Sequence, residues 1–148
     1  CHKVVEAGVK YCDKHRETDR KKYREYKQRR MRDEQEARRQ QFYNSKAWEQ
    51  FRAAQAAAQL GIDIYEYYTT GRIIDAENYH IQEITEAWAR RLDAANVIGL
   101  SEANHRRIHK EYDRSYKAKK KMQKILYEML EQFYREFVLT GGYKNLKT

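Results

Sequence analysis

Residues 71–109 read GRIIDAENYHIQEITEAWARRLDAANVIGLSEANHRRIH, and the order of polar and apolar residues in this stretch decides the fold. Just before it, and running into it, IDIYEYYTTGRII (62–74) is rich in β-branched and aromatic residues. That composition predicts short extended pieces around a turn at Thr70-Gly71. ENYHIQEI (77–84) predicts a further strand. Trp88, Leu92, Val97, Ile98 and Leu100 supply apolar anchors. A helix over 101–118 is expected to start near Ser101.

Within this stretch three polar residues carry the chemistry. His80 falls in a strand-like segment, Asn96 in a loop, and His105 in a helix with His109 four residues later on the same side. A strand histidine, a loop asparagine and a helix histidine can converge on one divalent metal and one phosphate. The imidazole then takes a proton from water. The metal polarises the phosphate and steadies the leaving oxygen. The asparagine orients the base or its loop. The plainer alternative is that these are surface or core histidines with no ligand role.

Towards the N-terminus, FYNSKAWEQFRAAQAAAQL (42–60) predicts a helix capped by Asn44 or Ser45, with Phe51, Ala54 and Ala58 on one face and Gly61 as its stop. Residues 16–41 are a charged run of good helix formers with almost no aliphatic residues. This run reads either as a solvated linker helix or as a basic arm along a phosphate backbone, with Arg20, Lys21, Lys22, Arg29 and Arg30 touching the phosphates. Residues 1–15 form a short Cys/His segment. Towards the C-terminus, Met122, Ile125, Leu126, Met129, Leu130, Phe133 and Phe137 mark one apolar stripe on a helix over 119–138, which Gly141-Gly142 is expected to end. That stripe either packs on the rest of the chain or makes a homo-oligomer.

Lysine and arginine number 31 against 22 acids, a formal net charge of +9. This favours a polyanionic partner, DNA or RNA first, with an acidic protein as the other option. Charged residues make up 36%, and the mean hydropathy is −1.13, so a large core is not expected. Proline is absent, which permits long helices. No apolar run approaches the length of a transmembrane helix, and no signal peptide is visible. An intracellular, cytoplasmic setting is therefore expected. The chain begins at Cys1 with no initiating Met, so residues upstream are expected.

The His80-Ile81, Asn96-Val97 and His105 pattern, with nine residues from Asn96 to His105, resembles the HNH endonucleases of phages. The upstream FYNSKAW, with Trp48, resembles the helix that precedes the nuclease core in that family. Tyr11-Cys12 and His15 look like the tail of a small zinc knuckle found ahead of some members. The resemblance implies a ββα-metal core over 42–118, in a mostly α chain with a small β-hairpin, flanked by the charged helix 16–41 and the C-terminal helix and tail 119–148. It implies His80 as general base, Asn96 as holder of the loop, and His105 as a ligand of Mg or Mn if the site is active. It also implies His109 as an additional DNA-side or metal-side residue, and Arg90, Arg91, Arg106 and Arg107 facing phosphates. Cys1, Cys12 and His15 would bind zinc, with His2 or an upstream cysteine as the fourth ligand.

The sequence departs from that family at Tyr79, where the family places a metal-binding Asp or His. A phenol is a poor ligand for Mg or Mn. Glu77, on the same strand face as Tyr79, and Glu83 are the carboxylates available to replace it. The two CxxC pairs of a structural zinc, found in many members, correspond here to Ile64 and Tyr67, and to Ser101 and Asn104. Ile64, Tyr67 and Tyr68 are expected to fill that space instead. The expected function is accordingly a non-catalytic or weakly catalytic HNH-like phage protein. Its partner would be nucleic acid or a host nucleic-acid-processing defence complex, for instance as an anti-CRISPR inhibitor. The alternative is an active metal-dependent DNA endonuclease of the kind that serves phage genome packaging.

Overall fold

The computed structural model describes residues 3–139. Cys1, His2 and the Gly141-Gly142 stop lie outside the described residues. The chain divides into two compact units, 1–41 and 42–148.

In the first unit a turn around Gly8, closed by the Val9 amide donating to the Glu6 carbonyl at 3.0 Å, precedes helix α1 (Asp13–Tyr43). Only Phe42 is buried along α1, and Phe42 and Tyr43 already belong to the second unit. A helix polar all round relies on pairs three and four residues apart. Arg30 with Glu34 at 3.2 Å and Arg39 with Glu36 at 2.9 Å are of this kind.

The second unit is mostly helical with a small antiparallel hairpin. Helix α2 (Lys46–Ala58) is capped by Ser45, whose hydroxyl accepts from the Trp48 amide. Its inward face is Trp48, Phe51, Gln55 and Gln59, whereas Ala54, expected to face inward, is exposed. Helix α3 (Ile64–Thr70) replaces the extended pieces expected there. The reason is local: Asp63 caps the Glu66 amide, and Gly71 closes the helix in the left-handed region at φ 76°. A capped start and a glycine stop outweigh the β propensity of the Tyr and Ile side chains.

Strand β1 (Glu77–His80) pairs antiparallel with β2 (Val97–Leu100), Glu77 opposite Leu100 and His80 opposite Val97. The strand expected over 77–84 stops at His80, because the Ile81 amide turns to the Asn96 carbonyl at 2.8 Å and a long loop begins. That loop includes the 3-10 turns Trp88–Arg90 and Ala94–Asn96. Leu92, expected as an anchor, is exposed on it.

Helix α4 (Glu102–Arg114) is capped by Ser101, and helix α5 (Tyr116–Phe133) by Ser115, with a π-type stretch Tyr134–Leu139 after it. The break therefore falls at Ser115 and not between 118 and 119. Extended backbone at Ser115, φ −169° and ψ 161°, ends one helix while its hydroxyl caps the next.

Two apolar clusters lie on the two faces of the hairpin. Ile98 and Leu100 join Ile62, Ile64, Ile81, Ile108, Tyr112, Leu126, Leu130, Phe133 and Phe137. Val97 joins Phe42, Trp48 and Ile84. Leu126, Leu130, Phe133 and Phe137 of the stripe are thus buried within the unit, while Met122, Ile125 and Met129 are half-buried.

Gly99 sits where β2 is crowded. A Cβ there would lie 2.5 Å from the Ile62 carbonyl oxygen. Beside it, Gln59 presents its side-chain amide to the strand. Its Nε2 donates to the Val97 carbonyl at 2.8 Å, and its Oε1 accepts from the Gly99 amide at 2.7 Å. One glutamine thus does for β2 what a third strand would.

Candidate functional site around the hairpin

Strand alternation sends Tyr79 and His80 to opposite faces of β1. His80 enters the aromatic cluster, stacked on Trp48 with ring centroids 4.8 Å apart. Its Nε2 faces the Arg91 carbonyl at 2.8 Å, so Nε2 carries the proton. Nδ1 is then the acceptor and takes the Tyr43 hydroxyl at 3.1 Å. Burial pushes the His80 pKa down, only partly opposed by the bond to Arg91, which keeps the ring neutral at pH 7.

On the other face Tyr79 lies flat on His105, centroids 3.7 Å apart and planes 12° from parallel. His109 meets the edge of His105 at 4.5 Å, and Glu83 lies 3.7 Å from His109 Nδ1. Burial and the neighbouring His109 lower the His105 pKa. An open depression of about 730 Å³ runs alongside, lined by Asp75, Glu77, Tyr79, Glu102, His105 and Arg106 among others. Glu77 shares the Tyr79 face, as alternation predicts, but pairs with Arg52 at 3.3 Å. Glu102 pairs with Arg106.

Asn96 is fully buried and closes the loop that joins the strands. Its Nδ2 donates to the Gln82 carbonyl at 3.0 Å, and its Oδ1 accepts from the Gln82 amide at 2.9 Å. The Tyr127 hydroxyl of α5 donates to the same Oδ1 at 2.8 Å, while Arg90 donates to Tyr127 at 2.8 Å. Tyr112 adds a bond from its hydroxyl to the Ile81 carbonyl at 2.7 Å. The loop is therefore tied at both ends and clamped from α5.

The structure brings Asn96 beside the start of the loop that follows His80, and His105 beside Tyr79. It does not gather His80 and His105 around one point. Arg90 is held by Asp93 and Tyr127, and Arg91 lies over Trp88 with its guanidinium 4.7 Å from the ring. Arg106 is paired with Glu102, while Arg107 is exposed. Arg20, Lys21, Lys22, Arg29 and Arg30 are exposed along α1.

In the first unit, Cys12 Sγ and His15 Nδ1 are 3.1 Å apart at the start of α1. The His15 amide, then its ring, holds the Cys12 thiol pKa below its usual value. Among the described residues no group of three His, Cys, Asp or Glu side chains is disposed to hold a metal ion. Of the carboxylates beside His105, Glu77 pairs with Arg52 and Glu102 with Arg106, so neither is free to join the imidazole on a Mg or Mn ion.

Sequence reading missed a buried polar knot between the starts of α3 and α4. Asp63 Oδ2 accepts from the Ser101 amide at 2.7 Å and from Asn104 Nδ2 at 2.8 Å. Asn104 Nδ2 also donates to Glu66 Oε2 at 2.9 Å, and Arg72 pairs with the other Glu66 oxygen. Asn104 and then Arg72 hold the Glu66 carboxyl pKa down at about 2. Ser101 and Asn104, two of the four positions matched to the lost zinc pairs, belong to this knot. Ile64 fills apolar space as expected. The Asp63-x-x-Glu66 spacing was the available signal, since it is a helix-start pattern. Tyr43 and Tyr127 escape sequence reading too, as does Trp48 in its role as the ring under His80, because nothing in their spacing ties them to His80 or Asn96.

Comparison of the chain with family models, with curated proteins and with solved structures returned no match.

Proposed function

We propose that this chain is a nucleic-acid-binding protein on an HNH-like scaffold, with little or no cleavage activity of its own. The order β1, loop, β2, α4, with a buried asparagine closing the loop, supports the ββα reading. The observation that carries the non-catalytic reading is that the Tyr43 hydroxyl occupies the acceptor nitrogen of His80, while the Tyr79–His105 stack lies on the opposite face of β1. Function resides in the site more than in the fold, and this site is arranged for packing. The test is plasmid nicking with Mg, Mn and Ni, beside DNA binding by fluorescence anisotropy. The expected result is binding without nicking by the native chain. Nicking that disappears in His80→Ala would overturn it.

A second reading has one observation in its favour. The Arg91 carbonyl holds His80 in the tautomer a general base needs, with Nδ1 unprotonated and facing a hydroxyl. A water in place of that hydroxyl would lose its proton to Nδ1. Under this reading Tyr43→Phe raises nicking, and His80→Ala in the same background removes it.

We propose zinc at the N-terminal knuckle as well, because Cys12 Sγ and His15 Nδ1 lie 3.1 Å apart and the bonds from His15 hold the thiol below its usual pKa, which favours the thiolate a zinc ligand needs. Metal analysis of the purified chain is expected to find one zinc per chain, absent from Cys12→Ser.

A further inference from the structure

We infer that the exposed lysine stripe of α5, made by Lys117, Lys120, Lys121 and Lys124 with Tyr116 at its head, is the surface that meets the phosphodiester backbone of duplex DNA; this rests on the nucleic-acid reading above. From Ser115 to Tyr127 the chain has five lysines and no carboxylate. At about 100° per residue, four of them fall within an arc of about 100°, over a rise of about 10 Å. The opposite face, Ala118, Gln123 and Leu126, is buried, so the core orients the stripe outward. Tyr116 is 76% exposed, and the Lys120 ammonium lies 5.4 Å from its ring centre.

Placement separates this surface from the other basic positions. On α1, Arg24, Arg30 and Arg39 pair with Glu17 at 3.0 Å, Glu34 at 3.2 Å and Glu36 at 2.9 Å, and the exposed Arg20, Lys21, Lys22 and Arg29 spread over about 200° of the helix at about 100° per residue instead of along one face. Arg90 and Arg106 are paired as well. On α5, Lys119 is taken by Glu86, and Lys124 only reaches Glu128 at 3.9 Å. Lys117, Lys120 and Lys121 are exposed and make no ion pair among the described residues.

The helix also breaks a local rule. Helices α1 to α4 open with an acid in the first turn, Asp13, Glu49, Glu66 and Glu102, which suits the positive end of the helix dipole. Helix α5 has no acid there and places Lys117 in that turn. Positive charge added to a positive helix end is a conflict that an anionic partner relieves.

Lysine is depleted at protein interfaces, which are anchored by Arg, Trp and Tyr, and it meets phosphates as a compact point charge. A rigid, straight stripe with one aromatic ring suits a duplex strand better than an unstacked single strand, which needs a series of ring platforms.

The experiment measures anisotropy of a short labelled DNA duplex against salt, for the native chain and for two quadruple variants. The first is Lys117→Ala, Lys120→Ala, Lys121→Ala and Lys124→Ala. Alanine suits these exposed helix positions, and circular dichroism verifies that the fold is kept. Its slope of log affinity against log salt is expected to fall by about 0.9 for each phosphate that is no longer neutralised, about 3 to 4 in all, with binding more than roughly tenfold weaker. The second variant, Arg20→Ala, Lys21→Ala, Lys22→Ala and Arg29→Ala on α1, is expected to stay within about 1 of the native slope. An unchanged slope in the α5 variant, whatever the α1 variant does, overturns the inference and leaves the nucleic-acid reading standing. A native chain that binds no duplex at all removes that reading, and the inference with it.

Discussion

Replacing Gln59 by leucine tests whether a side-chain amide holds the inner edge of the hairpin. Gln59 is 1% exposed, and its two polar ends take the Val97 carbonyl and the Gly99 amide, both on a strand buried at every residue. Leucine has a similar volume, so little cavity forms, but two buried backbone groups are left without their partner. Each such group costs about 1–3 kcal/mol when left unmade. The added apolar burial returns about 1 kcal/mol. The expected net loss is about 3 kcal/mol, a large part of the total stability of about 5–15 kcal/mol typical of a domain. For a unit of this size that lowers Tm by about 10–15 °C. The assay is urea and thermal unfolding followed by circular dichroism, with Gln59→Glu as companion. Glutamate still accepts from Gly99 but has no donor for Val97, so it also destabilises. A loss under about 1 kcal/mol for Gln59→Leu would mean that water or a shifted neighbour replaces the amide, and the reasoning would be refuted.

Three further outcomes are expected. Asn96→Ala removes the bonds that close the loop after β1, costing about 2–4 kcal/mol, and limited proteolysis then cuts between Gln82 and Ala95, where the native chain resists. Intact resistance in a folded Asn96→Ala chain would show that Tyr112 and Tyr127 hold the loop unaided. Gly99→Ala drives a Cβ to 2.5 Å from the Ile62 carbonyl, and a thermal melt should show destabilisation by more than about 2 kcal/mol; an unchanged melt would mean that β2 shifts freely. The third concerns acid. Glu66 has its folded pKa lowered to about 2, so its contribution is complete above the ordinary carboxylate range and is lost as pH falls through that range towards 2. The urea midpoint should therefore drop over that window, and less steeply in Glu66→Gln; equal slopes would assign the acid sensitivity elsewhere.

Much of the fold is legible in the sequence because its signals are periodic or local. The stripe from Met122 to Phe137 repeats at three and four residues, and Ser45 and Ser101 are caps that act within their own turn. The charged run is a long exposed helix for the same reason. Helix α3 escapes a composition reading because its β-branched and tyrosine content speaks louder there than the single cap at Asp63 that decides the backbone. The break at Ser115 is equally faint, because no glycine or proline marks it and only the extended backbone at that residue separates α4 from α5.

By itself the sequence determined most of the elements and the residues that stand at the hairpin: the strand around His80, the asparagine before β2, the histidine opening α4. Those depend on neighbours a few residues apart, and such interactions are written in spacing. Tertiary structure alone decided what those residues touch. Tyr43 is 37 residues from His80 and Tyr127 is 31 from Asn96, yet a hydroxyl from each completes the hydrogen bonding of its partner. Tyr79 on β1 and His105 on α4 form one stack although they belong to different elements. Whether an imidazole can act as a base or a ligand depends on which groups occupy its nitrogens, and that is set by packing between distant elements.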